Sequence, residues 1–415
     1  MNEIIFKKNA DLCPMLSPKL LTFIQEHQQD APERLLLSAG RYPDVDVRMA
    51  AQQIAARQHI REKLPEWYAL PELFFPSALS YQQASSELTA RYKQDFIPPG
   101  SRLYDLTGGL GVDSYYFSQR AKSVVYMEQN PELYAAAVHN FASLGAKNIQ
   151  AMQGSCLDLL PLLTSPDMIY IDPSRRGTQH QRLLSLQDYE PDLDSLRRLV
   201  FPRATRILLK ISPMADIWES LRLLPEATEV HVVSVKNDCK ELLFLLQPRN
   251  AALLPSEEVK MVCVHWGRDE KKEFCCFRRT DEQAARTQIC YGKPEPGGYL
   301  YEPNASLLKA GAFQWTALQF GLKKLAINSH LYTSSQYVSD FPGRVFRIAK
   351  IWSFQSSGLR KIKDALPQAN IAVRNFPLGA EALRKRLQIK DGGNNYLFGT
   401  TLQDGERALM QGEIA

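Results

Sequence analysis

The sequence has few of the features that mark a secreted, disulfide-stabilised or membrane protein. Its seven cysteines in 415 residues include no C-x-x-C pair, which argues against a disulfide framework in a chain of this length. No apolar run approaches the length that spans a bilayer. The first residues, MNEIIFKKNADLC, lack the apolar core of a signal peptide. These absences predict a cytoplasmic protein with no membrane partner.

Residues that could bind a metal are also sparse. Cys263, His265, Cys275 and Cys276 are near one another in the sequence, but they fall in two strand-like runs, MVCVHW and EFCCFRR, that are typical of a hairpin. Such spacing is a weak indication of zinc. We therefore interpret the thiols as buried apolar side chains, and no metal is predicted.

An excess of positive charge occurs only in the last fifth of the chain. The whole chain carries a formal charge of +5, while residues 343–415 contain 12 Lys and Arg against 6 Asp and Glu. That segment therefore carries +6, and the rest of the chain sums to −1. Positive charge confined to one small module raises the expectation of a polyanionic partner.

The pattern of apolar residues divides the chain into four predicted domains. Residues 1–95 are predicted to be a helical region, because apolar positions recur at helical spacing. Residues 96–250 alternate short apolar runs with helix-length segments. Residues 251–342 are predicted to be a small α+β domain, which could be ferredoxin-like. Residues 343–415 have the order strand, helix, strand, helix, strand.

The central domain contains seven short apolar runs, which we predict to be strands: RLYDL, SVVYME, NIQAMQ, DMIYID, RILLKI, EVHVVSV and ELLFLLQ. Their alternation with helical segments indicates parallel strands with crossovers on both faces of a sheet. Only KNDCK separates the last two runs, which is too short for a parallel crossover. The predicted fold is therefore α/β and Rossmann-like, with seven strands of which the last is antiparallel.

A glycine-rich loop, DLTGGLGVD, follows the first predicted strand. Gly109 and Gly111 would open a dinucleotide-binding fingerprint, but Ser114 stands where the third glycine belongs. No G-K-[ST] follows, which excludes a P-loop. A tight strand-to-helix turn that needs glycine for its geometry alone stays open as an alternative at this point.

Polar residues also end or follow the next three predicted strands. Glu128 ends the second strand, where an acidic side chain can bind the hydroxyls of a ribose. The segment GSCLD, from Gly154 to Asp158, follows the third strand, and Asp172 ends the fourth. Because open α/β sheets bind ligands at the carboxyl ends of their strands, one nucleoside pocket would explain all of these residues.

The motifs DLTGGLGVD, YMEQN, GSCLD and DPSRR resemble those of the class I S-adenosylmethionine-dependent methyltransferases. The whole chain resembles a bacterial subgroup with a helical N-terminal region and a THUMP-like C-terminal domain, through QQASSELTARYK and AVRNFPLGAEALRKRLQIKDGG. The resemblance implies that S-adenosyl-L-methionine is the cofactor. The residues that it implies for cofactor binding are Asp105, Thr107, Gly108, Gly109, Gly111, Asp113, Glu128, Gln129, Asn130, Ser155, Cys156 and Asp158.

The expected active-site motif departs from the family pattern. Methyltransferases that act on exocyclic amines of bases carry [ND]-P-P-[aromatic], whereas this chain has DPSRR, without the aromatic ring that would stack on the base. Covalent C5 methylation needs a cysteine after the fifth strand, and LLKISPMAD has none. Cys239 could substitute, but a buried thiol is the preferred interpretation. The predicted catalytic residues are Asp172, Pro173, Arg175, Arg176 and Lys210.

The alternatives for these residues are ordinary ion pairs, for the two arginines and for Lys210 in particular. Ser85, Ser86 and Thr89 directly precede the predicted sheet, and they are predicted either to cover the cofactor or to be plain helix-surface hydroxyls.

The predicted function is methylation of a base in structured RNA, either tRNA or rRNA, by direct in-line transfer. The alternatives are a small-molecule or protein methyltransferase, and an RNA-binding protein with a vestigial methyltransferase fold. The resemblance to THUMP domains implies that the terminal module positions the RNA. The predicted RNA-binding residues are Arg384, Lys385, Arg386 and Lys390.

Overall fold

The structure is a computed structural model that describes residues 16–175, 189–249 and 253–415. It contains two compact units, and the division into four domains stays a prediction. The first comprises Met1–Ala227 with Phe244–Leu253, and the second comprises Thr228–Leu243 with Leu254–Ala415.

Six helices precede the first strand of the first unit. They are α1 (Pro18–Glu26), α2 (Pro32–Leu37), α3 (Val47–Ile60), α4 (Pro65–Tyr68), α5 (Ala78–Gln83) and α6 (Glu87–Gln94). The predicted helical region is thus confirmed over the described residues. The periodic stretch SALSYQQASSELTARYKQDF forms two helices and not one, because Ala84 leaves the helical conformation and the Ser86 hydroxyl caps α6 by accepting from the Thr89 N–H.

The first unit also contains most of the central sheet, through the strands β1 (Arg102–Asp105), β2 (Ser123–Glu128), β3 (Ile149–Gln153), β4 (Met168–Ile171) and β7 (Arg206–Ile211). The short strands β5 (Ser174–Arg175) and β6 (Tyr189–Glu190) form a separate two-stranded sheet. Its further helices are α7 (Val112–Ser118), α8 (Pro131–Ser143), α9 (Cys156–Leu159), α10 (Leu193–Leu199) and α11 (Ile217–Leu223). The pairs β1–β2, β2–β3, β1–β4 and β4–β7 are all parallel, as the alternating pattern predicts.

The last strand of the predicted seven is reversed, as expected. The strands that continue the sheet are β8 (Ala227–Val235), β9 (Asp238–Leu246), β10 (Lys260–Trp266) and β11 (Lys272–Phe277). Lys236 and Asn237 join β8 to β9, and both have positive φ (51° and 64°), which is the backbone of a two-residue hairpin turn. The sheet order is β11-β10-β8-β9-β7-β4-β1-β2-β3. The seven-stranded class I arrangement is confirmed, and β10 and β11 extend the sheet beyond residue 250.

The rest of the second unit is built on a second sheet. Its strands are β12 (Tyr299–Pro303), β13 (Lys323–Lys324), β14 (Tyr332–Ser334), β15 (Gly343–Ser353), β16 (Asn370–Arg374), β17 (Asn395–Thr401) and β18 (Arg407–Ile414). Its helices are α12 (Arg279–Ala285), α13 (Ala305–Ala310), α14 (Phe313–Gln319), α15 (Ser356–Ala365) and α16 (Ala380–Leu387). The order β13-β14-β12-β15-β18-β17-β16 places β18, which the sequence analysis missed, between β15 and β17.

Helices α15 and α16 pack on one face of this second sheet. Ile362 and Leu383, both fully buried, face Leu397 of β17 and Leu409 of β18 in a shared apolar cluster. Strand β12 pairs with β15 from Tyr299 opposite Arg347 to Pro303 opposite Gly343. None of the helices in the described part of the chain is long and apolar enough to cross a bilayer.

Candidate functional site

The ends of the parallel strands in the first unit bring the predicted site residues to one edge of the sheet. Asp105 ends β1, opposite Tyr126 of β2 and Tyr170 of β4. Glu128 ends β2, opposite Gln153 of β3. Asp172 directly follows β4. The geometry therefore produces a single row of carboxylates along the carboxyl edge, where ligands of open α/β sheets bind.

Glu128 fixes the glycine loop to this edge. Its Oε2 accepts a hydrogen bond of 2.8 Å from the Gly109 N–H, and its Oε1 accepts one of 2.7 Å from the Asn130 N–H. The Tyr126 hydroxyl donates to the Gly109 carbonyl at 2.5 Å. Glu128 itself is half-buried, and Gln129 is exposed. The carboxylate thus remains accessible to a ligand while it holds the loop.

The glycines of the loop serve different purposes. A Cβ at Gly108 would lie 2.1 Å from the Tyr126 ring, and one at Gly111 would lie 2.5 Å from the Phe141 ring, so packing within the protein requires both glycines. A Cβ at Gly109 would meet only the Thr107 carbonyl oxygen, at 4.0 Å. Gly109 is therefore the glycine of this loop at which a ligand could approach the backbone closely.

Asp105 is a buried carboxylate with two hydrogen-bond donors. Its Oδ1 accepts from the Thr107 N–H at 3.1 Å, and its Oδ2 accepts from the Ser114 hydroxyl at 2.6 Å. Burial raises the pKa of Asp105 to about 7; the two hydrogen bonds oppose the shift, and the charges of Asp113 and Asp172 add to it. Ser114 stands where a dinucleotide-binding fingerprint has its third glycine. Its hydroxyl donates to the Asp105 carboxylate, a contact that a glycine could not make.

Asp172 forms an ion pair with the lysine that the sequence analysis placed beside it. The Lys210 ammonium, near the end of β7, donates to Asp172 Oδ2 at 2.5 Å. The Asp172 N–H donates to the Thr107 hydroxyl at 2.6 Å, which ties the motif to the glycine loop. Pro173 is buried. Arg175 lies in β5, and Arg176 lies outside the described residues.

Asp113, predicted to bind the cofactor, has partners within the protein instead. Its Oδ2 accepts from the Ser85 hydroxyl and from the Tyr170 hydroxyl, both at 2.8 Å. The Lys93 ammonium lies 3.1 Å from its Oδ1. Burial acts to raise the pKa of Asp113, but the charges of Lys93 and Lys210 outweigh it, so the pKa lies below its usual value.

This network also gives the hydroxyls before the sheet definite positions. Ser85 is buried in contact with Asp113, Ser86 caps α6, and Thr89 is buried and donates to the Ser86 carbonyl at 3.1 Å. None of the three is a plain surface hydroxyl. The sequence analysis missed Lys93, and the available signal was a lysine on the buried face of α6.

The segment after β3 forms the far end of the row. The Gly154 N–H donates to the Glu128 carbonyl at 2.9 Å, and the Ser155 hydroxyl caps α9 by accepting from the Leu157 N–H at 3.3 Å. Burial raises the pKa of the Cys156 thiol to about 11, and Asp158 is exposed. The Gly154 bond therefore joins the start of this segment to the end of β2, and binding of a nucleoside by Ser155 and Cys156 stays a prediction.

The predicted RNA-binding residues of the second unit differ in exposure. The Arg384 guanidinium is bound by the carboxylates of Glu381 and Asp391 and is only 18% exposed. The Arg386 guanidinium lies 4.9 Å from the centre of the Phe354 ring. Lys385 and Lys390 are exposed. Arg384 is thus largely neutralised, whereas the two lysines present their charge to solvent.

The cysteines of the predicted hairpin differ in exposure. Cys263 of β10 pairs with Cys275 of β11, and both are buried, while the neighbouring Cys276 is exposed. His265 bonds the Ser234 hydroxyl. Over the described residues, no group of three or more His, Cys, Asp or Glu side chains is arranged to hold a metal ion. Burial raises the pKa of the Cys239 thiol to about 12.

Two parts of the second unit match known domain families. Residues 299–342 match the model of a ferredoxin-like domain, and residues 343–413 match the model of a THUMP domain-like family. Among curated proteins, the chain is 23% identical over 187 residues to an uncharacterized RNA methyltransferase from Lactobacillus johnsonii, which covers 44% of this chain and 38% of that protein. This chain thus spans well under half of that relative.

A second curated relative is the ribosomal RNA small subunit methyltransferase J from Rhodopseudomonas palustris, 29% identical over 159 residues, which is 33% of this chain and 72% of that one. The match to a solved structure is broader. A protein from Porphyromonas gingivalis W83, assigned as a methyltransferase, is 37% identical, covers 96% of this chain and 98% of its own, and superposes with a TM-score of 0.86. The chain therefore belongs to the family of S-adenosylmethionine-dependent methyltransferases with a THUMP-like C-terminal domain.

Proposed function

We propose that this protein transfers a methyl group from S-adenosyl-L-methionine to a base in structured RNA. The observation that carries the proposal is the row formed by Asp105, Glu128 and Asp172 along the carboxyl edge of the sheet. Such a row supplies hydrogen-bond acceptors for the ammonium group and the ribose of the cofactor, and one for the substrate. The family relationship and the RNA methyltransferases among the relatives support the same conclusion.

The charges at the site fit a cationic ligand. The charges of Asp113 and Asp172 add to the raised pKa of Asp105, and those of Lys93 and Lys210 lower the pKa of Asp113. Three carboxylates against two ammonium groups leave room for one further positive charge. Asp105 would hold the ammonium group of the cofactor, Glu128 would bind the ribose hydroxyls, and the open side of Gly109 would admit the ligand.

The bound cofactor supplies a sulfonium methyl group that leaves readily, so the protein has to align the acceptor and exclude water. Asp172 would accept the hydrogen of the base nitrogen that is methylated. The Lys210 ammonium, 2.5 Å away, would orient the carboxylate for this. Direct transfer needs no covalent adduct, which agrees with the weakly acidic thiol of Cys239.

The second unit supports RNA as the substrate class. The exposed faces of α15 and α16 carry basic side chains that can reach phosphates. These are Arg360, Lys361, Lys363, Lys385 and Arg386, with Lys390 just beyond α16. Binding of RNA by this module would raise the concentration of substrate at the methylation site without strong contacts from the catalytic residues.

The direct test joins cofactor binding to substrate identification. Calorimetry with S-adenosylhomocysteine should show micromolar binding by the full chain. Nucleosides from a deletion strain should lack one methylated base by mass spectrometry, and the full chain with S-adenosylmethionine should restore it on RNA from that strain. Binding without any missing methylated nucleoside would contradict RNA as the substrate, and absence of binding would contradict the enzyme assignment.

A further inference from the structure

The first unit contains a fully buried lysine that is not among the predicted site residues. Lys93, from α6 of the N-terminal helical region, is 0% exposed. Its ammonium lies 2.7 Å from the Ser85 hydroxyl and 3.1 Å from Asp113 Oδ1. The Ser85 hydroxyl donates to the other oxygen of the same carboxylate, at 2.8 Å. The three side chains form a closed triangle inside the protein.

This triangle is connected to the residues proposed for methyl transfer. Asp113 follows the glycine loop directly, and the Tyr170 hydroxyl donates to it at 2.8 Å. Tyr170 is in β4, two residues before Asp172. Lys210, which donates to Asp172 at 2.5 Å, is also close enough to Asp113 for its charge to lower the pKa of that carboxyl group.

Anchoring of α6 alone does not account for this arrangement. Moving a lysine and an aspartate out of water costs free energy that their attraction only partly repays, and apolar side chains of similar volume anchor a helix at least as well. The buried pair also binds the Tyr170 hydroxyl, two residues before Asp172, which an apolar pair would not.

We propose that Lys93 is a positioning residue of the methylation site. It holds Asp113 against the Tyr170 hydroxyl and so fixes the end of β4, where Asp172 pairs with the Lys210 ammonium. The part of the proposal that concerns catalysis rests on the proposed function. The predicted environment of Lys210 does not, and it can be measured without substrate.

The decisive variant is the double replacement Lys93→Met and Asp113→Asn. Lys93→Met alone would leave a buried carboxylate without its main counter-charge, and we expect it to destabilise the protein strongly. The double variant removes both charges with little change in volume, and the introduced amide keeps a hydrogen-bond acceptor for Ser85 or Tyr170. We expect it to melt near the temperature of the parent.

The substrate-free readout is the rate at which an acetylating reagent modifies Lys210, followed by mass spectrometry of the folded protein. The double variant removes the triangle that holds the end of β4, so Asp172 holds the Lys210 ammonium less firmly. We expect the modification to become about five- to tenfold faster. We also expect kcat to fall about tenfold or more while the affinity for S-adenosylhomocysteine changes by less than about threefold.

The chain offers a matched control in Lys324 of the second unit, the other fully buried lysine among the described residues. Its ammonium donates to the Ile327 carbonyl at 2.5 Å. Lys324→Met removes a buried ammonium without touching this network, so Lys210 should react at the parental rate.

A folded double variant with parental Lys210 reactivity and parental kcat would overturn the proposal and leave the pair a structural one. If the double variant does not fold, Ser85→Ala, which loosens the triangle without burying a new charge, serves in its place. Its control is Ser118→Ala, a buried serine of the same unit that donates to the Tyr115 carbonyl. Ser85→Ala should then raise Lys210 reactivity about twofold, and no change would overturn the proposal. A parent without methyltransferase activity would contradict the proposed function, while Lys210 reactivity would still decide this inference.

Discussion

The two units use charge in opposite ways. In the first, the charged side chains of the site are wholly or largely buried, and each has protein partners, as Lys93 has in Asp113 and Lys210 has in Asp172. In the second, most basic side chains on α15 and α16 are exposed. Buried pairs are weakly screened by salt, while exposed charges are screened within about 10 Å at 0.1 M. The first unit thus holds its charges in fixed pairs, whereas the second leaves its positive charges exposed, as the proposed binding of RNA requires.

The largest effect is expected at Asp172. Asp172→Asn removes the charge that Lys210 orients and leaves the acceptor nitrogen without a carboxylate partner. We expect turnover to fall by about 10³-fold or more, while the affinity for S-adenosylhomocysteine stays within about threefold of the parent. Single-turnover methylation and calorimetry on the same preparations measure both. Cys239→Ser should keep near-parental turnover, and a trapped protein–RNA adduct at Cys239 would contradict direct transfer.

The next effect concerns cofactor binding at the glycine loop. Glu128→Ala removes an acceptor for both the ribose and the Gly109 N–H. We expect the affinity for S-adenosylhomocysteine to fall about 150-fold or more, because two charged hydrogen bonds of about 1.5 kcal/mol or more each are lost. Calorimetry and a melting curve separate binding from stability.

Gly109→Val and Gly111→Val sharpen this test, because their Cβ atoms point to different surroundings. Gly109→Val should weaken binding in a protein that still folds, although the positive φ of 54° adds some strain. Gly111→Val would meet the Phe141 ring and should mainly lower the melting temperature. Equal effects of the two variants on binding and on stability would contradict the separate roles assigned to these glycines.

The pH dependence of binding tests Asp105. A ligand ammonium favours the ionised carboxylate, and the pKa of Asp105 is raised to about 7 by burial. Protonation therefore competes with the ligand, so affinity should fall about tenfold per pH unit below 7 and level off above 8. Calorimetry between about pH 5.5 and 8.5 measures this.

Asp105→Asn serves as the control, and its melting temperature gives a second test of the same pKa. Because the pKa of Asp105 is higher in the folded than in the unfolded protein, stability is lost progressively between about pH 4 and 7, and the variant should melt a few degrees higher than the parent at pH 8. The two proteins should melt alike only below about pH 4, where Asp105 is protonated in both states. A variant that binds as tightly as the parent and melts no higher at pH 8 would argue against this role for Asp105.

The smallest effect is expected in the second unit, where single charges act weakly. If about three to five basic side chains contact phosphates, log affinity for RNA should fall with log salt at a slope near −2 to −4. Lys385→Ala with Lys390→Ala should flatten that slope by about one to two. Arg384→Ala should change it little, because Glu381 and Asp391 already neutralise the guanidinium. Cofactor affinity should be unaffected by both, and an unchanged slope in the double variant would remove these lysines from the interface.

Much of the fold could be predicted because it rests on local patterns. The seven strands of the central sheet and their reversed end follow from apolar runs and loop lengths, and Asp105, Glu128 and Asp172 are found at strand ends for the same reason. Strand β18 was missed because its second half, with Gly412 and Glu413, lacks the apolar alternation of a strand.

The contacts that escaped prediction join residues distant in the sequence. Nothing near Gly111 indicates that its hydrogen faces Phe141, thirty residues away. Lys93 and Asp113 come into contact only when α6 packs beside α7. Asp391, which pairs with Arg384, lies beyond the end of α16. Such pairings are set by tertiary packing, and neither composition nor periodicity carries them.

The pairing of β12 with β15 has an evolutionary consequence. The ferredoxin-like match ends at residue 342 and the THUMP domain-like match begins at 343, yet Tyr299–Pro303 and Gly343–Ser353 are neighbouring strands of one sheet. Gly343 itself has no room for a side chain, since a Cβ would lie 2.3 Å from the Glu302 carbonyl oxygen. Separating the two segments would leave unpaired backbone groups along β15, an edge that invites aggregation. We expect selection against any rearrangement of the gene that moves one segment without the other, so the two segments should be inherited together.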